Sequence, residues 1–134
     1  MDLGAAYLTQ GHPKEAQEEF SRLVALDPNN ANAHIGLGMA LADQDNHEAA
    51  ISEYQNALRL DPQARDVYYR MGISQVQLKK YDDAIASYLK ERERSGDDAE
   101  LEDALADAYQ AKGMQQEAQD ARNKAAQLNG QNTD

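Results

Sequence analysis

Histidine and carboxylate side chains are the groups in this sequence that could carry out chemistry. The three histidines are His12, His34 and His47, and each could serve as a base or a metal ligand near neutral pH. Their settings differ, because His12 and His47 fall in polar turns and His34 falls at an inward position of a predicted helix. Cysteine is absent, which excludes thiolate nucleophiles, thiolate metal sites and disulfides. A packed structural role explains His34 better than catalysis does.

Two acidic clusters invite comparison with metal-binding and catalytic patterns. The segment Asp43–His47 resembles a calcium loop, but it lacks the glycine and the distant bidentate glutamate of that motif, so a solvated turn is the better interpretation. Asp82 and Asp83 suit the first turn of a helix, where carboxylates interact favourably with the helix dipole. No glycine-rich phosphate loop is present. The sequence therefore predicts no catalytic residues, no metal site and no cofactor.

The net charge narrows the classes of partner. The 134 residues carry a formal net charge of −11, and so acidic a surface repels the phosphate backbone of nucleic acids while attracting basic protein segments. No apolar run approaches the roughly 20 residues of a membrane helix, and the chain start lacks the features of a signal peptide. We expect no nucleic-acid binding and no direct membrane insertion. The compartment stays open: cytoplasmic by default, with a parent protein that could be anchored or exported.

Several columns of similar residues recur at a spacing of 34 residues. Pro28 and Pro62 form the clearest pair. Two columns of small residues and one of aromatic residues share this period, and the aromatic column breaks at its fourth member: Gly4, Gly38, Gly72 and Ala106; Ala16, Ala50, Ala84 and Ala118; Phe20, Tyr54, Tyr88 and Arg122. A fixed period of this length is the sequence signature of a repeat architecture.

Each repeat is predicted to contain two helices. In the best-defined repeat, apolar residues recur at helical spacing over Asn32–Asp43, a polar turn follows, and a second helix covers about Glu48–Leu60. Pro62 ends this helix, because proline disfavours helical geometry in the residue before it. Glycine inside a helix costs roughly 1 kcal/mol relative to alanine, so the recurrence of Gly38 and Gly72 predicts close packing of the paired helices.

These columns resemble the tetratricopeptide repeat family. The match is best over Asn32–Ala64, where the family pattern is met by Leu37, Gly38, Leu41, Ala50, Tyr54, Ala57 and Pro62. The resemblance covers essentially the whole chain and implies an all-α fold. The implied architecture is an α-solenoid of antiparallel helix pairs with a right-handed superhelical twist, about 3.5 repeats long. It also implies that the first helix of each pair lines a concave groove.

The repeat period divides a single domain, 1–134, into four parts. We expect a partial repeat followed by three repeats, the last of them with a C-terminal capping helix: 1–30, 31–64, 65–98 and 99–132. The capping helix is predicted over roughly Gln115–Leu128, with a loose tail over Asn129–Asp134. By register, five residues of the first helix lie upstream of Met1, which favours a fragment of a longer repeat protein over a natural short start.

The junction between the third and fourth repeats is more polar than the others. Glu91, Arg92 and Arg94 replace mostly apolar residues, and Glu102 stands where an aromatic residue is commonest in the family. Two interpretations are open: a solvated helix end with charge pairs, or a hinge. The first is favoured because exposed pairs are common and individually weak. In the connector 95–98, either of the two aspartates can cap the next helix.

The outward face of the first helices carries the candidate binding residues. A rotation of about 100° per residue puts Leu37, Gly38 and Leu41 inside and the opposite set outside. That outward set is apolar over much of its length and becomes acidic in the fourth repeat. The predicted groove consists of Asn32, Ile35, Met39, Asp66, Tyr69, Arg70, Ile73, Val76, Asp103 and Asp107. Lateral packing between neighbouring first helices is the alternative explanation for the apolar members, and neither explanation is favoured.

The functional hypothesis is a protein–protein interaction scaffold, not an enzyme, that binds a peptide or partner segment in the concave groove. The expected segment is apolar or amphipathic with a basic end near the fourth repeat. Some tetratricopeptide repeat domains clamp acidic tails, but only Arg70 and Asn32 could do so here, which disfavours that ligand class. The alternative hypothesis is a structural unit that self-associates, as a homo-oligomer through its open N-terminal edge.

Overall fold

The computed structural model describes residues 2–131, which form eight α-helices and, in that range, no strands. The predicted all-α fold is confirmed. The helices are α1 (Leu3–Thr9), α2 (Pro13–Leu26), α3 (Ala31–Asp43), α4 (His47–Leu60), α5 (Val67–Gln77), α6 (Tyr81–Ser95), α7 (Ala99–Ala111) and α8 (Gln115–Gln131).

The last helix is longer than the sequence predicts. α8 continues through Asn129–Gln131, so the expectation of a loose tail is wrong for these residues, and residues 132–134 lie outside the described part of the chain. Its C-terminal half is rich in alanine and glutamine, which favour helix, and no proline interrupts it. No proline follows Leu128, so α8 continues through Asn129 and Gly130 although both are weak helix formers.

The two helices of each pair are joined by a three-residue turn that recurs with the period of the sequence. The middle residue of each turn has a φ between 61° and 80°, in the left-handed region, and these residues are Gly11, Asp45, Lys79 and Gly113. The next backbone N–H reaches back to a carbonyl five residues earlier, as in the 2.8 Å bond from Lys80 N to Gln75 O. The period of 34 thus holds in backbone conformation even where residue types differ.

Contacts divide the chain into two compact units, Met1–Arg70 and Met71–Asp134. The core of the first unit places aromatic rings against glycines. A Cβ atom added at Gly38 would lie 2.6 Å from Cε1 of Tyr54, and one added at Gly36 would lie 2.3 Å from Cε1 of Phe20. Only glycine lets these helices approach so closely.

The second unit uses the same contact once and then abandons it. A Cβ atom at Gly72 would lie 2.4 Å from Cε1 of Tyr88. In the next repeat Arg122 replaces the aromatic residue, and Ala106 replaces the glycine while remaining buried. The two columns change together because the methyl group of alanine fits only where no ring fills the space.

Within residues 2–131, none of the helices combines the length and the apolar character needed to cross a membrane.

Replacing Gly38 by alanine should lower the free energy of unfolding by about 1 kcal/mol. The added Cβ meets the buried ring of Tyr54, and overpacking of about 1–3 kcal/mol exceeds the gain in helix propensity of about 1 kcal/mol. Urea denaturation followed by circular dichroism measures the change. The matched control is Gly130→Ala in α8, which meets nothing within 4 Å and should stabilise by up to about 1 kcal/mol. Equal stabilisation by both changes would contradict the packing argument.

Replacing Lys79 by glycine should raise the free energy of unfolding by about 1 kcal/mol, because a left-handed conformation strains any residue that has a Cβ atom. Lys79 is exposed, so no packing is lost. The reverse change at the equivalent turn, Gly113→Ala, should destabilise by a similar amount. Thermal unfolding of both variants checks the pair, and a lower melting temperature for Lys79→Gly would disprove the strain.

Candidate functional site

The two faces of α3 differ in exposure. Leu37 and Leu41 are each 8% exposed, whereas Asn32 is exposed and Ile35 and Met39 are half-buried. This difference follows from the helical period, because residues three or four apart share one face of the helix. The outward side of α3 is thus available to form a surface site in the first unit.

A cavity of about 430 Å³ lies in the first unit beside α3. Its volume is within the usual range of ligand pockets. It is lined by three residues of α3, five of the connector between α4 and α5, and one of α5: Asn32, Ile35, Met39, Asp61, Gln63, Ala64, Arg65, Asp66 and Arg70. Five of the ten residues predicted for the groove therefore line one cavity, namely Asn32, Ile35, Met39, Asp66 and Arg70.

The connector between α4 and α5 brings four residues to the cavity that the sequence interpretation missed: Asp61, Gln63, Ala64 and Arg65. It is folded by Asp61, whose Oδ1 accepts a 3.1 Å bond from the Gln63 N–H and whose carbonyl accepts one of 3.1 Å from the Ala64 N–H. Such turns are characteristic of aspartate. The aspartate before both Pro28 and Pro62 was the available signal, since Asp27 forms the same turn with Asn29 at 3.2 Å.

Asp66 is not where the sequence interpretation put it. It was expected on the outward face of a helix, but α5 begins only at Val67 and Asp66 precedes it with a left-handed φ of 67°. The equivalent helix α3 begins two residues earlier in register because Asn30 caps it, its Oδ1 accepting a 3.2 Å bond from the Ala33 N–H. Ala64 stands at the position of Asn30 and has no capping group. The late start of α5 therefore turns Asp66 into a connector residue.

The formal charges around the cavity balance, since Asp61 and Asp66 oppose Arg65 and Arg70. Neither arginine has an ion pair with a carboxylate among residues 2–131. Burial raises the pKa of the nearby Tyr54 to about 12, and the charge of Arg70 acts against that rise. Tyr54 is thus a neutral phenol near pH 7. The cavity itself offers the guanidinium groups of the two arginines and the amide of Asn32 as hydrogen-bond donors, beside the apolar surface of α3.

The other five predicted groove residues do not line this cavity. Tyr69 and Val76 are half-buried, and Ile73 is exposed. On α7, Asp103 and Asp107 are exposed, and Asp107 accepts from Arg122 at 3.4 Å. Their assignment to a binding groove stays a prediction.

Comparison with protein families identifies the repeat. A family model described as tetratricopeptide repeat matches residues 1–65 and 38–99, most of the chain. The chain belongs to the tetratricopeptide repeat family. This confirms the resemblance inferred from the glycine, alanine, aromatic and proline columns. The tetratricopeptide repeat fold supports a role in protein–protein interaction in general, and proteins of this family bind proteins or peptides.

Solved structures agree with the family. A crystal structure of MamA has a TM-score of 0.91 and 30% sequence identity, covering 96% of this chain and 75% of that chain. A second MamA crystal structure gives a TM-score of 0.89 at 31% identity, covering 94% and 69%. MamA 41-end from Desulfovibrio magneticus RS-1 has a TM-score of 0.87 over 94% and 71%, but at 23% identity it shows the fold alone. A comparison with curated protein sequences gives no match.

The histidines of this tetratricopeptide repeat chain stay apart. His12 lies in the turn before α2 with its ring edge-on to Tyr7 at 6.5 Å, and His47 is the first residue of α4. His34 is 7% exposed, and its ring nitrogens lie 2.7 Å from Glu53 Oε2 and 2.8 Å from the Pro28 carbonyl oxygen. Within residues 2–131 no group of three or more histidine, aspartate or glutamate side chains could hold a metal ion.

The polar junction of the tetratricopeptide repeats is buried where a solvated helix end was expected. Glu91 is 3% exposed and Glu102 is fully buried, so that interpretation is wrong for both carboxylates. The expected charge pairing does occur, since Arg92 Nη1 lies 3.3 Å from Glu102 Oε1. Ser95 Oγ donates a 2.6 Å bond to Glu91 Oε2. Asp98 takes the N-cap position of α7, but its side chain makes no capping bond.

Replacing Arg92 by leucine should lower the free energy of unfolding by about 3 kcal/mol, the low end for breaking a buried ion pair, because Glu102 loses its cation but the Arg92 side chain is 36% exposed. Replacing both residues by leucine should restore stability to within about 1 kcal/mol of the wild type, since no buried charge remains. Urea denaturation provides the comparison. Arg122→Leu, which breaks the exposed pair with Asp107, is the control and should cost under about 1 kcal/mol. A double variant as unstable as the single one would contradict the explanation.

Proposed function

We propose that the chain is a binding scaffold, not an enzyme, that holds a peptide segment of a partner protein in the cavity beside α3. The convergence of five of the predicted groove residues on one cavity carries this proposal, although Asp66 reaches it from the connector and not from a helix. Ile35 and Met39 supply apolar surface along one side of α3, and Met side chains adapt to differently shaped partners. The cavity lining contains no serine, cysteine or histidine that could act as a nucleophile or as a neutral base.

Polar groups around the cavity suit the main chain of a peptide. The Asn32 amide can donate and accept, and the guanidinium groups of Arg65 and Arg70 can donate to peptide carbonyl oxygens without first breaking an ion pair with a carboxylate. Pairing these donors with the apolar side chains of Ile35 and Met39 favours an amphipathic segment. We also propose that Asp103, which is exposed on α7 in the second unit, attracts basic residues of a partner protein.

Changing Ile35 to aspartate should weaken peptide binding by about tenfold or more, because a charge replaces apolar surface in the cavity. Peptides selected from a random phage-displayed library against the wild-type chain serve as ligands, and fluorescence anisotropy measures their Kd. The matched control is Leu26→Asp, the same type of change at a residue of α2 that is 76% exposed and does not line the cavity. Circular dichroism verifies that both variants remain helical.

Equal affinity of the selected peptides for the wild type and for Ile35→Asp would disprove binding in this cavity. The second candidate function, self-association, is favoured by Leu3 on α1, whose side chain is about half exposed. Light scattering over a range of protein concentrations distinguishes the two functions. A mass that stays at that of one chain excludes self-association, whereas a mass that rises with concentration and falls on changing Leu3 to aspartate supports it.

A further inference from the structure

His34 is a buried histidine whose two ring nitrogens both face hydrogen-bond acceptors. Nδ1 lies 2.7 Å from Glu53 Oε2 on α4, and Nε2 lies 2.8 Å from the Pro28 carbonyl oxygen in the connector between α2 and α3. A carbonyl oxygen can only accept, and so can an ionised carboxylate. A neutral imidazole has one N–H and can satisfy only one of these partners. The imidazolium has two and satisfies both.

The charged groups that act on His34 come from α4. Its helix, α3, packs against α1, α2 and α4. Glu53 and Arg59 of α4 influence the ring, and among the described residues no charged group of α1 or α2 does so. Burial by itself lowers the pKa of His34. The bonds to Glu53 and to the Pro28 carbonyl outweigh burial and the charge of Arg59, so the pKa lies above its ordinary value of 6.5.

We propose that His34 is a pH-dependent latch. As an imidazolium it donates one hydrogen bond to Glu53 of α4 and one to the Pro28 carbonyl, and so links α4 to the connector between α2 and α3. When the ring loses its proton, one of these two hydrogen bonds is lost. The same connector caps α3, since Asn30 Oδ1 accepts a 3.2 Å bond from the Ala33 N–H. Asn32 and Ile35 lie in the first helical turns of α3 after this cap, and both line the cavity. The protonation state of His34 therefore affects the stability of the α3 side of the cavity.

The direction of the pH effect follows from the raised pKa. Folding favours the protonated ring, so the stabilisation is complete below about pH 6.5, where His34 is protonated in the unfolded chain as well. It is lost as the pH rises through the higher pKa of the folded state. Mildly alkaline conditions should therefore weaken the latch, and mildly acidic conditions should complete it.

Nuclear magnetic resonance of the ring nitrogens tests the protonation state directly in the wild-type chain. We expect both nitrogens of His34 to be protonated at about pH 6.5, and the ring to titrate at a higher pH than the histidines of the urea-unfolded chain. A single neutral tautomer at that pH, or a titration at or below that of the unfolded chain, would overturn the proposal. Assigning the signal requires only the variant His34→Gln as a spectral reference.

A glutamine at position 53 separates the latch from simple packing. In Glu53→Gln the amide can donate to a neutral His34 Nδ1 while Nε2–H still donates to the Pro28 carbonyl, so both hydrogen bonds persist without an extra proton. Between about pH 6 and pH 9 the wild-type ratio of folded to unfolded protein should fall about fivefold more than that of Glu53→Gln, as expected for the loss of one hydrogen bond. The control His12→Gln removes an exposed histidine and should keep the wild-type profile.

Coinciding pH profiles of the wild type and Glu53→Gln would refute the latch. Hydrogen exchange localises the effect: amide protection factors over residues 29–36 should fall at alkaline pH in the wild type and stay constant in Glu53→Gln. Uniform changes along the chain would also count against the proposal. None of these readouts involves a peptide ligand, so they remain informative whichever outcome the binding experiment gives.

Discussion

The contact between an aromatic ring on one helix and a glycine on the helix before it sets the distance between the two helices of a pair. Tyr54 against Gly38 and Tyr88 against Gly72 leave no room for even a methyl group. A ring buried in this way provides a large apolar surface at low conformational cost, which offsets the penalty of glycine within a helix. Where the aromatic residue is absent, as at Arg122, the glycine column gives way to Ala106.

The candidate site arises from departures from this repeat. α3 begins with a capping asparagine, but the equivalent residue before α5 is Ala64, so α5 starts late and the chain makes an extra turn at Asp66. That turn adds connector residues to the lining of the cavity. Arg70 stands 34 residues after Gly36, at a position where glycine accommodates a ring in the preceding repeat, and its charge acts on Tyr54. Small losses of local regularity thus produce a surface that a perfect repeat would lack.

Two of the inward, buried positions hold polar side chains. His34 and Glu102 occupy the same repeat position two repeats apart, and both are buried. The imidazole of His34 pairs with a carboxylate, and the carboxylate of Glu102 pairs with a guanidinium group. Buried ionic groups contribute little net stability, because the free energy of removing them from water offsets their attraction. Each buried group has one particular neighbour, Glu53 for His34 and Arg92 for Glu102. At His34 that pairing also introduces a dependence on pH.

The sequence alone determined the helical repeat, the family and the separation of each first helix into two faces. These properties depend on local periodicity: glycine, alanine and aromatic residues recur every 34 positions, and the helical rotation fixes which of them share a face. It could not give the late start of α5 or the burial of Glu91 and Glu102. Charged residues are usually exposed, so the burial of the two glutamates depends on the arginine and serine that the fold brings to them. Likewise only the tertiary structure places the connector of one pair beside the outward face of α3, because no local pattern specifies which distant segments will enclose a common volume.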